Sequence, residues 1–226
     1  MSALPPSAME REFARRYDQE HTRDCLQQRP LKPGQRLALW RSERLVRQAL
    51  KMAGEPGLIL DVACGAGRFW PVLAEHGNRV ILAADNSPDM LDHARTHHPA
   101  GVLKRVKTFQ SSAFDIGLSA NAVDCICCMQ LFQHLASSEH RLALLREFHR
   151  VSRDAVIVAT RIDSHCTALQ RLLEQPRSLD PDGAPLLASK AQLEAEFQEA
   201  GFEVLSHHNF IPGCAASRIY VLRKRG

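Results

Sequence analysis

Ile59-Leu60-Asp61-Val62-Ala63-Cys64-Gly65-Ala66-Gly67-Arg68 is the stretch that decides the fold. A short apolar run, suited to a buried strand, ends in an acid and then in a turn with two glycines. Those glycines allow positive φ and let a ligand approach the backbone closely. A helix opening just after such a turn presents unpaired N–H groups. Asp61 stands near the strand's carboxyl end, where an open sheet forms a crevice. A second apolar run, Arg79 to Ala84, ends in Asp85-Asn86. That second acid is placed to accept both hydroxyls of a ribose.

Outward from this pair, strands alternate with helices. Leu58–Ala63, Arg79–Ala84, Leu103–Gln110, Val123–Met129 and Ala155–Thr160 read as strands. Helices are predicted from Gly67 to about His76, from Ser87-Pro88, and over Ser138–Val151. A serine N-cap followed by proline is a strong helix start. Further helices are predicted over Cys166–Leu173 and from Ser189 to Ala200, the latter ended by Gly201. Pro176 to Pro185 reads as a loop between them. Phe202–His207 and Ile219–Arg223 then form two strands with no helix between, so an antiparallel pair is expected. Before all this come two predicted helices, Met9–Gln28 and Gln35–Ala53, the second with Leu37, Trp40, Leu45, Ala49 and Ala53 at helical spacing. The expected architecture is α/β: a Rossmann-like doubly wound sheet, mostly parallel with an antiparallel C-terminal strand pair. An N-terminal helical cap over 1–53 precedes a ligand-binding domain over 54–226.

Composition narrows the class. At 226 residues and 45% hydrophobic, the chain builds one sizeable core. No apolar run nears the roughly 18 residues of a membrane span, and Met1 to Glu10 lacks a secretory core. Seven cysteines form no regular framework, so a cytoplasmic setting is expected. Cys125, Cys127 and Cys128 lie in a strand, with two on one face and one on the other; buried thiols are expected rather than a metal site. The net charge of +4 is scattered, with short clusters at Arg15-Arg16 and Arg223-Lys224-Arg225. A solvated surface is the simpler reading, though basic patches also attract nucleic acid.

The acid inside the turn separates two ligand classes. A dinucleotide pattern wants a third glycine for helix packing and room for a pyrophosphate. Here Arg68-Phe69-Trp70-Pro71 is bulky. An aspartate in the turn also repels a pyrophosphate and attracts an ammonium, which favours a ligand with a cationic end.

At this point the sequence resembles a known family. Asp61-Val62-Ala63-Cys64-Gly65-Ala66-Gly67 resembles the first motif of class I S-adenosylmethionine-dependent methyltransferases, and Ala84-Asp85-Asn86-Ser87-Pro88-Asp89-Met90-Leu91 the second. Ser111-Ser112-Ala113-Phe114-Asp115-Ile116 is similar to the third, with Ser112 where the family usually has an acid. Val123-Asp124 through Leu135 resembles the fourth, in a pattern nearest to ubiquinone- and menaquinone-biosynthesis methyltransferases. The resemblance implies S-adenosylmethionine as cofactor, bound by Asp61, Ala63, Gly65, Gly67, Asp85, Asn86, Met90, Ser112, Ala113, Phe114 and Met129.

Methyl transfer is a direct displacement, so the protein aligns two reactants and, for some acceptors, removes a proton. His134 is the candidate catalytic base, with a capping or packing role as its alternative. Gln130 and Gln133 replace the glutamates of those relatives, and two amides with one histidine make a poor site for a hard cation, so no metal is expected. Arg161, Asp163, His165, His207 and His208 are secondary candidates, as are Tyr17, His21 and Arg41 in the helical cap. Arg41 is a candidate partner for the cofactor's carboxylate. The expected acceptor is a small molecule, methylated at oxygen or nitrogen, bound by a monomer or homodimer. An RNA acceptor and a non-catalytic cofactor-binding module are the alternatives. Asp85→Ala is expected to weaken cofactor binding with little loss of stability.

Overall fold

The computed structural model describes residues 33–135, 137–162, 188–211 and 214–225; the predicted helices over 9–28 and 166–173 and the loop at 176–185 lie outside them. Helix α1 (Pro33–Met52) buries Leu45, Val46, Ala49 and Leu50 along one face. Leu37 and Trp40, expected on that face, are instead 65% and 52% exposed. The reason is where the helix crosses the sheet. Arg41 donates to the carbonyl of Phe210, near the end of a late strand, so the turns before it run past the sheet.

After α1 the chain builds β1 (Leu58–Val62), a short α2 (Trp70–Leu73), β2 (Val80–Asp85), α3 (Pro88–His97), α4 (Ala100–Leu103), β3 (Val106–Gln110) and β4 (Val123–Cys128). A 3₁₀ turn (Phe132–His134), α5 (Ser138–Val151), β5 (Ser152–Arg161), α6 (Lys190–Glu199), β6 (Phe202–Ile211) and β7 (Cys214–Lys224) complete the described chain. The sheet order is β3-β2-β1-β4-β5-β7-β6. All pairs are parallel up to β5, and β7 runs antiparallel to both β5 and β6. The fold is therefore the expected mostly parallel sheet with an antiparallel C-terminal pair.

This order sets the site. From β1 the chain steps outward to β2 and β3, then returns to start β4 on the other side. The crevice of such a switch point opens beyond the carboxyl ends of β1 and β4. The helix expected from Gly67 to His76 is only four residues long. Gly67 has φ +73° and delays its start. At its other end, the buried Arg79 guanidinium takes the carbonyls of Leu73 and Pro56 and pairs with Glu55. Those carbonyls are thereby satisfied without further helical turns.

Side chains alternate across β4 as the strand period requires. Cys125 and Cys127 join the core under α1, while Cys128 joins the core under α5 and α6. Burial pushes the thiols of Cys125 and Cys128 up to about 12, so both remain neutral and unreactive. On the second face Arg141 and Glu196, both nearly inaccessible, tie α5 to α6 through two charge-assisted hydrogen bonds of 2.7 Å. Ser138 donates to the same carboxylate. Glu196→Ala strands the buried Arg141 charge and is expected to cost about 3–5 kcal/mol, read from urea unfolding. A loss below about 1 kcal/mol would mean that the pair is not holding the helices.

Candidate functional site

Three residues of the turn after β1 adopt the left-handed region: Ala63 at φ 53°, Gly65 at 53° and Gly67 at 73°. Ala63 bears a Cβ there, which costs about 1–2 kcal/mol. The turn persists because its surroundings determine it. The Cys64 N–H donates to the Ala84 carbonyl at 3.1 Å, and the Gly67 N–H to the Cys64 carbonyl. Asp85 takes the Gly65 N–H on one carboxylate oxygen at 2.7 Å and the Ser87 N–H on the other at 3.0 Å.

Trp70 lies fully buried beneath the turn. A Cβ at Gly67 would sit 2.5 Å from its indole ring, so the glycine is needed for contact as well as for φ. The expected bulk at Phe69-Trp70-Pro71 thus becomes the foundation of the turn. His98 packs on the Trp70 ring at 4.9 Å and bonds the Ala66 carbonyl. The indole N–H donates to Asp61 at 3.1 Å. Burial first, with the neighbouring Asp85 charge adding, pushes the Asp61 carboxyl up to about 7. Asp61 is thus partly protonated near neutral pH, and a neighbouring cation would favour its ionised form.

Met90 and Gln130 converge on the turn. A Cβ at Gly65 would meet Met90 Cε at 3.3 Å and Gln130 Oε1 at 3.8 Å. Met90 is placed by α3, whose N-cap Ser87 accepts from the Met90 N–H. Ser111 N–H donates to the Asp85 carbonyl, which brings the loop after β3 beside the same acid. On that loop the Ser112 hydroxyl accepts from the Phe114 N–H at 3.1 Å, and Ala113 and Phe114 pack partly buried against the core. The Asn86 carbonyl accepts from Gln110.

A cavity of about 170 Å³ adjoins the turn, between Arg68, Phe69, Met129 and Gln130, the α1 residue Ser42 and the β6 residue Phe210. Gln133 also lines it. His134 does not; its ring is exposed, with Nε2 3.5 Å from the Gln133 amide. Arg41, one candidate for the cofactor's carboxylate with a solvated helix face as the simpler reading, is engaged by the carbonyls of Asn209 and Phe210. His207 is exposed and His208 half-buried, on opposite faces of β6 and outside the cavity lining. Tyr17, His21, Asp163 and His165 lie outside the described residues. Sequence reasoning missed Ser42 and Phe210, which no motif marks; only the packing of α1 on β6 brings them here.

A Rossmann-like sheet with a glycine turn, acids ending β1 and β2, and a cavity beyond β4 has the layout of a methyltransferase domain. Residues 59–155 match the family described as methyltransferase domain. An uncharacterised methyltransferase-like protein of Schizosaccharomyces pombe is 34% identical over 97 residues, covering 43% of this chain and 34% of that protein. The matched stretch thus spans about a third of that relative. The magnesium protoporphyrin IX methyltransferase of Synechocystis PCC 6803, solved with S-adenosylhomocysteine, shares the fold at a TM-score of 0.68 and 16% identity, over 96% of this chain and 98% of its own. The mitomycin 7-O-methyltransferase superposes at 0.65 with 16% identity, over 84% of this chain and 55% of that one. Residues 59–155 thus resemble a methyltransferase domain, and the chain shares the fold of S-adenosylmethionine-dependent methyltransferases.

The raised Asp61 pKa has a sign that can be checked. A carboxyl favoured as the neutral acid in the fold stabilises it fully below about pH 4, and that contribution is lost as pH rises through about 7. Asp61→Asn keeps an acceptor for the indole and does not titrate. Without cofactor, the Tm of Asp61→Asn relative to the native protein should therefore climb between about pH 4 and pH 7 and level off above. A pH-independent difference would place the folded Asp61 pKa near its ordinary value.

Proposed function

We propose that this chain transfers a methyl group from S-adenosylmethionine to a small-molecule acceptor, at oxygen or nitrogen, by direct displacement. The observation that carries the reading is the cavity joined to the glycine turn through Arg68 and Gln130. Its size suits a functional group of a small molecule better than a nucleic-acid strand.

The residues present fit the cofactor. The left-handed turn at Ala63, Gly65 and Gly67 leaves backbone open to close approach. Asp85, held by the Gly65 and Ser87 N–H groups, is the acid that would receive a ribose diol. Asp61 offers its ionised form to an ammonium. Met90 supplies a polarisable wall for a purine, continued by Asn86, Ser112, Ala113 and Phe114. Met129 closes the floor beside the cavity. When bound, the cofactor supplies an electrophilic methyl on a sulfonium. The chain's own contribution is to hold the acceptor in line with it and to exclude water.

An RNA acceptor has less support. Lys224 of the C-terminal basic cluster donates to Asn121 and to the carbonyls of His149 and Ser152, and Arg223 pairs with Asp154. These charges brace β7 rather than forming an open basic stripe.

Asp85 couples binding to stability, which overturns the expectation that its loss is nearly silent in the fold. Asp85→Ala leaves two buried N–H groups unmet, at about 1–3 kcal/mol each. Asp85→Asn keeps one acceptor oxygen, so a loss of only about 1–2 kcal/mol is expected. Its affinity for S-adenosylmethionine by calorimetry should drop at least about tenfold. Unchanged affinity in Asp85→Asn would remove the ribose role.

A further inference from the structure

We infer that one pair of side chains on α5, Glu147 and Arg150, positions the loop that reads the base of the cofactor, and so sets base selectivity without touching the ligand. This rests on the methyl-transfer reading above, in which Ser112, Ala113 and Phe114 continue the wall beside a purine. Those three residues lie between β3 and β4, in a stretch with no strand or helix of its own. Its start is tied to the end of β2, where the Ser111 N–H donates to the Asp85 carbonyl at 3.0 Å. Its far end is tied to α5. Glu147 accepts the Ile116 N–H at 2.6 Å, and Arg150 donates to the carbonyls of Ile116 and Leu118 at 2.8 and 2.7 Å. Both backbone groups of Ile116 are thus taken by side chains one helical turn apart.

The pair is rigid in itself. Arg150 forks onto the two carboxylate oxygens of Glu147 at 2.6 and 2.7 Å, so each charge orients the other. A planar guanidinium can serve that carboxylate and two carbonyls together, which a single ammonium does poorly. The Ile116 side chain is buried in the core, which fixes the same point from the other side. Two turns earlier on α5, His140 lies edge-on to Phe114 with ring centroids 6.4 Å apart. Between the two ties the loop has only local neutral bonds, such as Phe114 N–H to the Ser112 hydroxyl and Gly117 N–H to the Ser111 hydroxyl. Bonds of this kind are individually weak, so the loop keeps its shape only while both ends are held. That shape matters at the edge of the base. Adenine presents a ring-nitrogen acceptor beside an amine donor, and hypoxanthine presents a ring N–H beside a carbonyl. A serine hydroxyl and backbone N–H groups tell them apart only when well aligned, because hydrogen bonds weaken steeply with angle.

The test compares S-adenosylhomocysteine with S-inosylhomocysteine, which differ only at that edge, by calorimetry on the full chain. The native protein is expected to favour S-adenosylhomocysteine at least about tenfold. Glu147→Ala should lower that preference to about threefold or less. Arg150→Ala should do the same, and because its side chain is 39% exposed, water can meet the released carbonyls and the variant should fold where Glu147→Ala does not. Glu196→Gln is the control. It disturbs the buried pair with Arg141 between α5 and α6, so it loosens the same helix away from the loop, and it should keep the native preference. A preference unchanged in Glu147→Ala or in Arg150→Ala would overturn the proposal. So would equal binding of the two ligands by the native protein, or a preference that falls as far in Glu196→Gln. Failure of S-adenosylhomocysteine itself to bind would instead overturn the methyl-transfer reading, and this inference with it.

Discussion

The Asp85 carboxylate is the tie on which the donor side of the molecule depends. It ends β2, yet one of its oxygens closes on the Gly65 N–H of the turn after β1 and the other on the Ser87 N–H at the start of α3. One side chain thereby fixes the turn and a helix start relative to two parallel strands. The register beneath it is continuous, with Leu58 to Val62 paired one for one with Val80 to Ala84. A buried carboxylate is costly unless its oxygens meet donors, and backbone N–H groups in a turn are equally costly unless they meet acceptors. Each requirement is answered by the other, which is why the left-handed backbone at Ala63, Gly65 and Gly67 is held rather than merely allowed.

Beneath that tie, Trp70 does for packing what Asp85 does for polarity. Its ring fills the space that any side chain at Gly67 would claim, and it is fully buried among Cys64, Ala83, Leu91 and Ala94. Its one polar atom is satisfied by Asp61, as a buried indole requires. The turn is therefore clamped from below by an aromatic ring and from the side by a carboxylate. Such double constraint is what a site on a turn needs if its geometry is to be set before a ligand arrives.

The donor half was legible in sequence because its signals are local. Strand ends at Asp61 and Asp85, the Ser87-Pro88 helix start and the alternation through Cys125, Cys127 and Cys128 each depend on a few neighbouring residues, and the structure realises all of them. The cavity beyond β4 was not, because it is built by distant segments. Ser42, Gln130, Phe210 and Ser217 share a cavity only after α1 has crossed the end of β6. The same long-range packing decided the fate of residues that local pattern assigned elsewhere. Arg41 went to the β6 carbonyls rather than to a ligand. The helical period through Leu37 and Trp40 was correct as a period, but the sheet ends before it can cover them. The basic run at the C-terminus read as surface charge, whereas Lys224 is spent on the carbonyls of His149 in α5 and Ser152 in β5.

Asp61 shows how the fold and the chemistry pull against each other at this turn. For the fold alone, a neutral group of the same shape would accept the indole hydrogen bond without the burden of a buried charge. The acid is held partway to neutrality by burial, with the nearby Asp85 charge adding to the effect. A cation arriving at the turn reverses that balance, because its charge favours the ionised form. The cost of ionising the buried acid is set against that attraction, so binding of a cation here is linked to release of a proton. A neutral ligand, or a pyrophosphate, would gain nothing from it. What Asp61 would offer an ammonium end is thus set by where it is buried as much as by its charge.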